Sequence, residues 1–327
     1  MNRVLPQIIS HLALLVVGLG QTHAAFVDVT VQAGIGAPIS KSFGNPTWVD
    51  INHDDRLDIV SPQHTRVMNV YTNDGNGTFS NTTDQSGLYP QGKWDHHGMA
   101  WADYDNDGNV DLLVAEGGNS GAITANSQLW RGDGHGNFDN VTSVAGIGGR
   151  ARSALWVDYD NDGLLDALLT TSGQMLLFHN MGDGTFENTT ATAGLEPVLV
   201  PGSGGSASFA DYDDDGDMDL VVCSPAILYE NDGNGFYSPL GGFPGTSSCQ
   251  GIAWADYDND GDLDLFVTIG VADYNRGLVE NGSVLTFANR IRDTESPGSL
   301  DFTTDGGVIE FTLMIDEGWH AEQIFLG

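Results

Sequence analysis

The chain has 327 residues, 45 acidic against 11 basic side chains, a formal net charge of −34 and 40% hydrophobic residues. That charge excludes nucleic acid and an anionic membrane surface as partners. The apolar fraction, on a chain long enough for a large core, excludes a disordered acidic tail.

Residues 1–24 have the layout of a secretory signal. Arg3 gives a short basic start, 12–19 is an apolar run too short to span a bilayer, and Thr22-His23-Ala24 places a small residue at the cut. An uncleaved anchor is the alternative for this segment. No other stretch is apolar over the length a membrane helix needs, so no membrane insertion is expected after cleavage. The mature protein is expected to begin at Ala25 and to be secreted or held at the cell surface, which in a bacterium means periplasmic or extracellular. Residues 26–30 then read as a lone strand, followed by Ala33-Gly34-Ile35.

From residue 47 one unit recurs. First strands are predicted at 47–49, 99–102, 154–157, 208–210 and 252–255, and second strands at 57–60, 112–114, 167–169, 220–222 and 265–267. Third strands follow at 67–71, 128–130, 175–178, 226–229 and 278–280. Glycine turns such as Asn73-Asp74-Gly75-Asn76-Gly77 and Gly182-Asp183-Gly184 make hairpins to a fourth strand, which opens on Phe79, Phe138, Phe186, Phe236 and Phe287. Several units close on Ala-Gly-Ile or Ala-Gly-Leu, as at 145–147 and 193–195. Four antiparallel strands in each unit of about 45–50 residues are the mark of an all-β propeller blade. Five blades are clear, and residues 25–290 are expected to form the propeller. Residues 291–327 have a hairpin signal at Asp305-Gly306-Gly307 and read as a degenerate sixth blade, closed by the lone strand 26–30; a separate C-terminal β unit is the alternative.

An acidic loop joins the first two strands of each blade, starting at residues 50, 103, 158, 211 and 256, which are 53, 55, 53 and 45 residues apart. Loop positions 1, 3, 5 and 9 carry Asp50, Asn52, Asp54 and Asp58; Asp103, Asp105, Asp107 and Asp111; Asp158, Asp160, Asp162 and Asp166; Asp211, Asp213, Asp215 and Asp219; Asp256, Asp258, Asp260 and Asp264. Carboxylates this close repel one another unless a cation neutralises them, and alternate spacing on a tight turn aims them at one point. Hard oxygen donors select Ca²⁺, held by six to eight oxygens at roughly 2.4 Å. Position 7 would lend a backbone carbonyl: Arg56, Asn109, Leu164, Asp217 and Asp262. Position 6 is glycine, which accepts positive φ at the bend, except for Asp55 in the first loop. An EF-hand is excluded, because its twelfth position needs a bidentate Glu and here holds Ser61, Val114, Leu169, Val222 and Val267. The reading is about five Ca²⁺ ions as cofactors, which would raise the charge from −34 to −24. Loop one is expected to bind least tightly, with a neutral Asn52, a strained Asp55 and the positive Arg56 beside the ion.

Cys223 and Cys249 are the chain's two cysteines. They are expected to form a disulfide between blades four and five in an oxidising compartment, with two buried thiols as the alternative. Arg131-Gly132-Asp133 spells an adhesion tripeptide but occupies a hairpin slot and reads as structural. His96 and His97 enter the first strand of blade two and Arg152 the matching place in blade three. First strands line a propeller's axial channel, so these three are the candidate ligand-binding residues, at the mouth away from the loops. No nucleophile elbow, zinc-protease motif or phosphate loop is present, and no catalytic residue is assigned.

The Trp-x-Asp-Tyr-Asp-Asn-Asp-Gly-x-x-Asp loops, as at 101–111 and 254–264, and the Asp-Gly-x-Gly-x-Phe turns resemble the FG-GAP/VCBS repeat family of calcium-binding propellers. The likeness is closest to the secreted cartilage-acidic-protein-like branch and more distant to the propeller head of integrin α subunits. It covers about residues 26–290, departs from the family's pattern at Asn52 and Asp55, and implies a calcium-stabilised extracellular scaffold of adhesion type that binds a protein or glycan. It names no ligand, since the fold hosts many functions. The alternative is an enzyme on the same scaffold, a polysaccharide lyase or hydrolase using His96, His97 and Arg152.

Overall fold

The computed structural model describes residues 27–36, 45–63, 67–88, 95–117, 126–171, 174–195, 206–223, 226–242, 249–256, 261–269 and 284–288. The signal expected at 1–24 and the tail at 291–327 lie outside them. Val27–Val29 fall in a different compact unit from the described residues that follow Thr30.

Blade one is β1 (Thr47–Val49), β2 (Asp58–Ser61), β3 (Asn69–Asn73) and β4 (Phe79–Asn81). Blade two is β5 (His96–Ala102), β6 (Asp111–Glu116), β7 (Gln128–Gly132) and β8 (Phe138–Asn140), followed by the one-turn helix α1 (Thr142–Ala145). Blade three is β9 (Ser153–Val157), β10 (Asp166–Thr171), β11 (Gln174–Asn180) and β12 (Phe186–Asn188). Blade four is β13 (Ala207–Ala210), β14 (Asp219–Val222), β15 (Ile227–Asn231) and β16 (Tyr237–Gly242). Blade five is β17 (Cys249–Ala255), β18 (Asp264–Ile269) and β19 (Val284–Ala288). In every sheet the strands pair antiparallel in chain order, as propeller blades do.

The cores lie between blades rather than within them. Val49, Val60 and Val70 of blade one meet Leu112, Val114 and Trp130 of blade two. Leu113, Ala115 and Leu129, on the other face of blade two, meet Ala167, Leu169 and Phe178 of blade three. Leu168, Met175 and Leu177 meet Leu220, Val222 and Tyr229, and Val221 and Cys223 meet Leu265 and Val267. Successive side chains point to opposite faces of a strand, so an unbroken apolar run such as Leu112-Leu113-Val114-Ala115 serves two neighbours and is buried throughout. Cys223 is fully buried and disulfide-bonded.

Three expectations change. Residues 27–29 form no strand, and Val27, Val29 and Val31 are exposed; directly after them, 30–35 fold into a turn with Ile35 N–H donating to Thr30 O at 3.0 Å. The fourth strand of blade four opens at Tyr237, not Phe236, and the one-residue difference puts Tyr237 fully inside and leaves Phe236 exposed. Phe287 lies in β19 opposite Phe266 of β18, the place of a third strand. The run Val284-Leu285-Thr286-Phe287 is richer in β-branched and aromatic residues than the predicted 278–280, which lie outside the described residues.

The Ala-Gly turns, and Ser86-Gly87 in the equivalent place, prove to be clasps between blades. Ala33 O accepts from Phe79 N–H at 2.8 Å, Ser86 O from Phe138 N–H at 2.8 Å, and Ala193 O from Tyr237 N–H at 2.9 Å. Each turn thus grips the fourth strand of the blade that follows. Gly34 and Gly194 hold positive φ there, and a Cβ on either would lie 2.6 Å from Phe79 O or 2.3 Å from Tyr237 O. Arg131-Gly132-Asp133 leads into a hairpin turn: Arg131 and Gly132 end β7, Gly132 is buried, and Asp133 N–H donates to Asn137 O at 3.1 Å.

Candidate metal centre

Each acidic loop is organised by its first and ninth residues. The first carboxylate is split between two amides: Oδ1 accepts from position 5 at 3.2, 3.0, 3.1 and 3.0 Å in loops one to four. Oδ2 accepts from position 6 at 3.0, 2.9, 3.0, 3.1 and 3.1 Å in loops one to five. The ninth aspartate heads the second strand and is buried: Asp58, Asp111, Asp166, Asp219 and Asp264 are 0–4% exposed. In loops one to four its Oδ1 accepts from the third strand, at Asn73, Gly132, Asn180 and Asn231, over 2.7–2.8 Å. Its Oδ2 accepts from position 2 of its own loop over 3.1–3.3 Å. The loop therefore ties three strands of its blade together.

This wrapping requires left-handed backbone at two places. Position 6 has φ 90, 86, 98 and 96° at Gly108, Gly163, Gly216 and Gly261, and 63° at Asp55. Position 4 has φ 53–59° at His53, Asn106, Asn161 and Asp214. Sequence reasoning identified position 6 and missed position 4, although His, Asn and Asp are the non-glycine residues that tolerate this conformation best.

Ligand atoms converge in the middle loops. Asp103, Asp105 and Asp107; Asp158, Asp160 and Asp166; and Asp211, Asp213 and Asp219 each offer three carboxylate oxygens within 4.8 Å of one another. Such hard oxygen sets suit a divalent cation. Without one, burial pushes Asp111 and Asp219 up to about 7 against the pull of their backbone donors, and raises Asp58 and Asp166 as well. Burial also raises Asp105 and Asp160, aided by Asp107 and Asp162 beside them. A cation would offset these costs. In loop one, Arg56 pairs with the position 5 carboxylate: its Nη2 lies 2.5 Å from Asp54 Oδ2 and its Nε donates to Asn73 O at 3.1 Å. Among the described residues, loop one, with Asn52 at position 3, brings no three carboxylates together in this way. Asp258 and Asp260 of loop five lie outside the described residues, while Asp256, Asp262 and Asp264 lie within them.

Neighbouring loops are linked. Asn180 of blade three donates to Tyr104 O of loop two at 2.9 Å, and Asn231 of blade four to Tyr159 O of loop three at 2.7 Å. Tyr104 stacks on Trp156 of the next blade with centroids 5.9 Å apart. Asn161 Nδ2 donates to Asp217 Oδ1 across loops three and four at 2.7 Å. One further residue went unnoticed as a loop component: His179, which reads as a turn residue of the third strand, lies in β11 beside Asp160 and Asp166.

At the opposite end of blade two, His96 and His97 are buried, 1% and 9% exposed. His96 Nδ1 lies 2.6 Å from Glu116 Oε1 and His97 Nε2 lies 3.0 Å from Asp95 Oδ1. A bulge between His96 and Met99 turns Gly98 N–H onto Arg152 O at 3.0 Å, so Arg152, which is half-buried, joins the same edge. Arg150 Nε donates to Gly117 O. Sequence reasoning named the two histidines and the arginine but missed Glu116, which ends a strand with nothing in the local pattern to mark it.

A family model described as an FG-GAP-like repeat matches residues 50–114, 158–222 and 224–267, together more than half of the chain. No curated protein matches. Among solved structures, an Agrocybe aegerita lectin that recognises non-reducing terminal N-acetylglucosamine is 17% identical with a TM-score of 0.46, covering 72% of this chain and 64% of its own. The Vibrio cholerae biofilm matrix protein Bap1 is also 17% identical with a TM-score of 0.46, covering 71% of this chain and 36% of its own. The present chain thus spans under two thirds of each.

Proposed function

From the premise that this chain belongs to the FG-GAP-like repeat family, we propose that it is a secreted, Ca²⁺-stabilised propeller that binds an extracellular protein or glycan. The observation that carries this reading is a three-carboxylate convergence at the same connection in loops two, three and four, built on positions 1 and 3 with position 5 in loop two and position 9 in loops three and four. Ions there, about five in all if every loop is filled, would hold first, second and third strands in register. Positions 1, 3, 5 and 9 would supply side-chain oxygens and position 7 a carbonyl. The bridge of Cys223 to Cys249 belongs to the same proposal: closing 26 residues is worth about 3–4 kcal/mol in the chain-entropy model.

Loops occupied by ions and their own backbone have few donors left for a ligand, so the ligand is placed at the other end of the blades. There Arg152 would make contact, and the buried pairs of His96 with Glu116 and His97 with Asp95 would shape the surface. The second reading, a polysaccharide lyase or hydrolase, is favoured by one feature: an imidazole 2.6 Å from a carboxylate has the geometry of an acid–base pair. The test is to incubate the full chain in calcium on glycan and protein arrays, scoring retention and cleavage together. Retention without cleavage, weakened by Arg152→Glu, supports the binding scaffold. Cleavage lost in His96→Gln supports the enzyme, and neither retention nor cleavage overturns both.

A further inference from the structure

Loop three contains a donor that its own nine positions do not supply. The residue just before the third-strand amide that bonds the ninth aspartate is Thr72 in blade one, Arg131 in blade two, His179 in blade three and Glu230 in blade four. His179 Nδ1 lies 3.2 Å from Asp160 Oδ2 and 3.2 Å from Asp166 Oδ1, and its Nε2 lies 4.0 Å from Asp162 Oδ2. Asp160, Asp162 and His179 bring ligand atoms within 4.8 Å of one another, and so do Asp158, Asp160 and Asp166. The two groups share Asp160, and His179 Nδ1 approaches both Asp160 and Asp166, two of the loop's own oxygen donors. Tyr159 fixes the ring from the side, edge-on at 88° with centroids 6.1 Å apart. Tyr159 is itself buried and held through its hydroxyl to Thr189 Oγ1 at 3.2 Å.

We propose that loop three is a mixed nitrogen–oxygen site that takes a borderline divalent transition ion such as Zn²⁺ in preference to Ca²⁺, with His179 Nδ1 as a ligand. This rests on the reading that the loops hold divalent cations. Calcium favours all-oxygen sets, whereas imidazole suits zinc and its first-row neighbours, whose affinity for such a site rises along the divalent series. Loops two and four have Arg131 and Glu230 at this slot and remain calcium sites.

The test uses the full chain, stripped of metal and dialysed against Zn²⁺ equimolar with protein in a large excess of Ca²⁺. Bound metal is then counted by mass spectrometry. Wild type should keep one zinc per chain. His179→Thr, which places blade one's residue at the slot, should bind zinc about 10–100-fold more weakly while its calcium-loaded circular dichroism stays native. Pulsed EPR of the Mn²⁺-loaded protein should show nitrogen coupling in wild type and none in His179→Thr. Should that variant fold poorly, Glu230→His supplies the converse, adding a second zinc and a second nitrogen-coupled manganese. Equal zinc retention by wild type and His179→Thr, or manganese without nitrogen coupling, would overturn the proposal while leaving calcium in the loops. Binding of neither zinc nor calcium would overturn both.

Discussion

Loops one and two occupy equivalent places in adjacent blades and share a backbone, yet their ion-facing chemistry differs. Both fold on a first aspartate that accepts two amides and a ninth that is buried under the third strand. Loop two adds Asp105, Gly108 and Asn109, and its Asp103, Asp105 and Asp107 converge. Loop one has Asn52, Asp55 and Arg56 at those places, and Arg56 is bound to the carboxylate that an ion would use. The comparison separates two jobs within one motif. Positions 1 and 9 build the turn with backbone hydrogen bonds and no ion present, and positions 3, 6 and 7 would set how strongly an ion is held.

The largest expected effect comes from removing all ions at once. At 1 mM divalent ion and a Kd of about 10⁻⁴ M each site contributes roughly 1.4 kcal/mol, so five filled sites would give up to about 7 kcal/mol, loop one contributing least. Chelation should therefore lower the melting temperature by more than about ten degrees. A chelated sample melting within about a degree or two of the loaded one would break the comparison, since no loop would then be a metal site.

The metal-free protein should also show an inverted pH dependence. Asp111 and Asp219 stand near 7 when folded against an ordinary 3.8, because burial disfavours their charged form. The folded state then binds more protons than the unfolded one between those values, so stability falls as pH rises from about 4 to about 7. Bound calcium keeps these carboxylates ionised, and the slope should flatten or reverse. Thermal melts across this window with and without chelator give the sign, and a stability that rises with pH in the chelated protein would contradict it.

The smaller effects come from exchanging the two loops' residues. Asn52→Asp together with Arg56→Asn gives loop one the charge pattern of loop two and should tighten it by about tenfold, roughly 1.4 kcal/mol, as calorimetric titration would measure. Asp55→Gly alone should add about 0.5–1 kcal/mol by relieving a left-handed backbone at an aspartate. Unchanged affinity in the double variant would show that Arg56 does not compete with the ion.

Much of this was legible in the sequence because the repeat samples each constraint several times. The strands, the loop aspartates, the glycine at position 6 and the anomaly at Asp55 all follow from periodicity and spacing, and the backbone at Asp55 has the positive φ that glycine accepts freely. What escaped depends on contacts between blades. The Ala-Gly turns look like strand ends in isolation, and only the approach of Phe79 and Tyr237 explains their glycines. His179 looks like an ordinary strand residue, because the oxygens it faces are 13 to 19 positions away in sequence. His96 was chosen for its place in the first strand, but its pairing with Glu116 across the sheet and the bulge that turns Gly98 onto Arg152 have no local pattern to announce them.

The most direct test of the division of labour between the loops is a residue-resolved calcium titration of the metal-free protein. It would follow the amide resonances of Gly108, Gly216 and Asp55, all of which donate to the first aspartate of their loops. The account predicts that Gly108 and Gly216 shift first and that Asp55 follows only at calcium concentrations about tenfold higher or more. Simultaneous movement of all three, or Asp55 moving first, would contradict it.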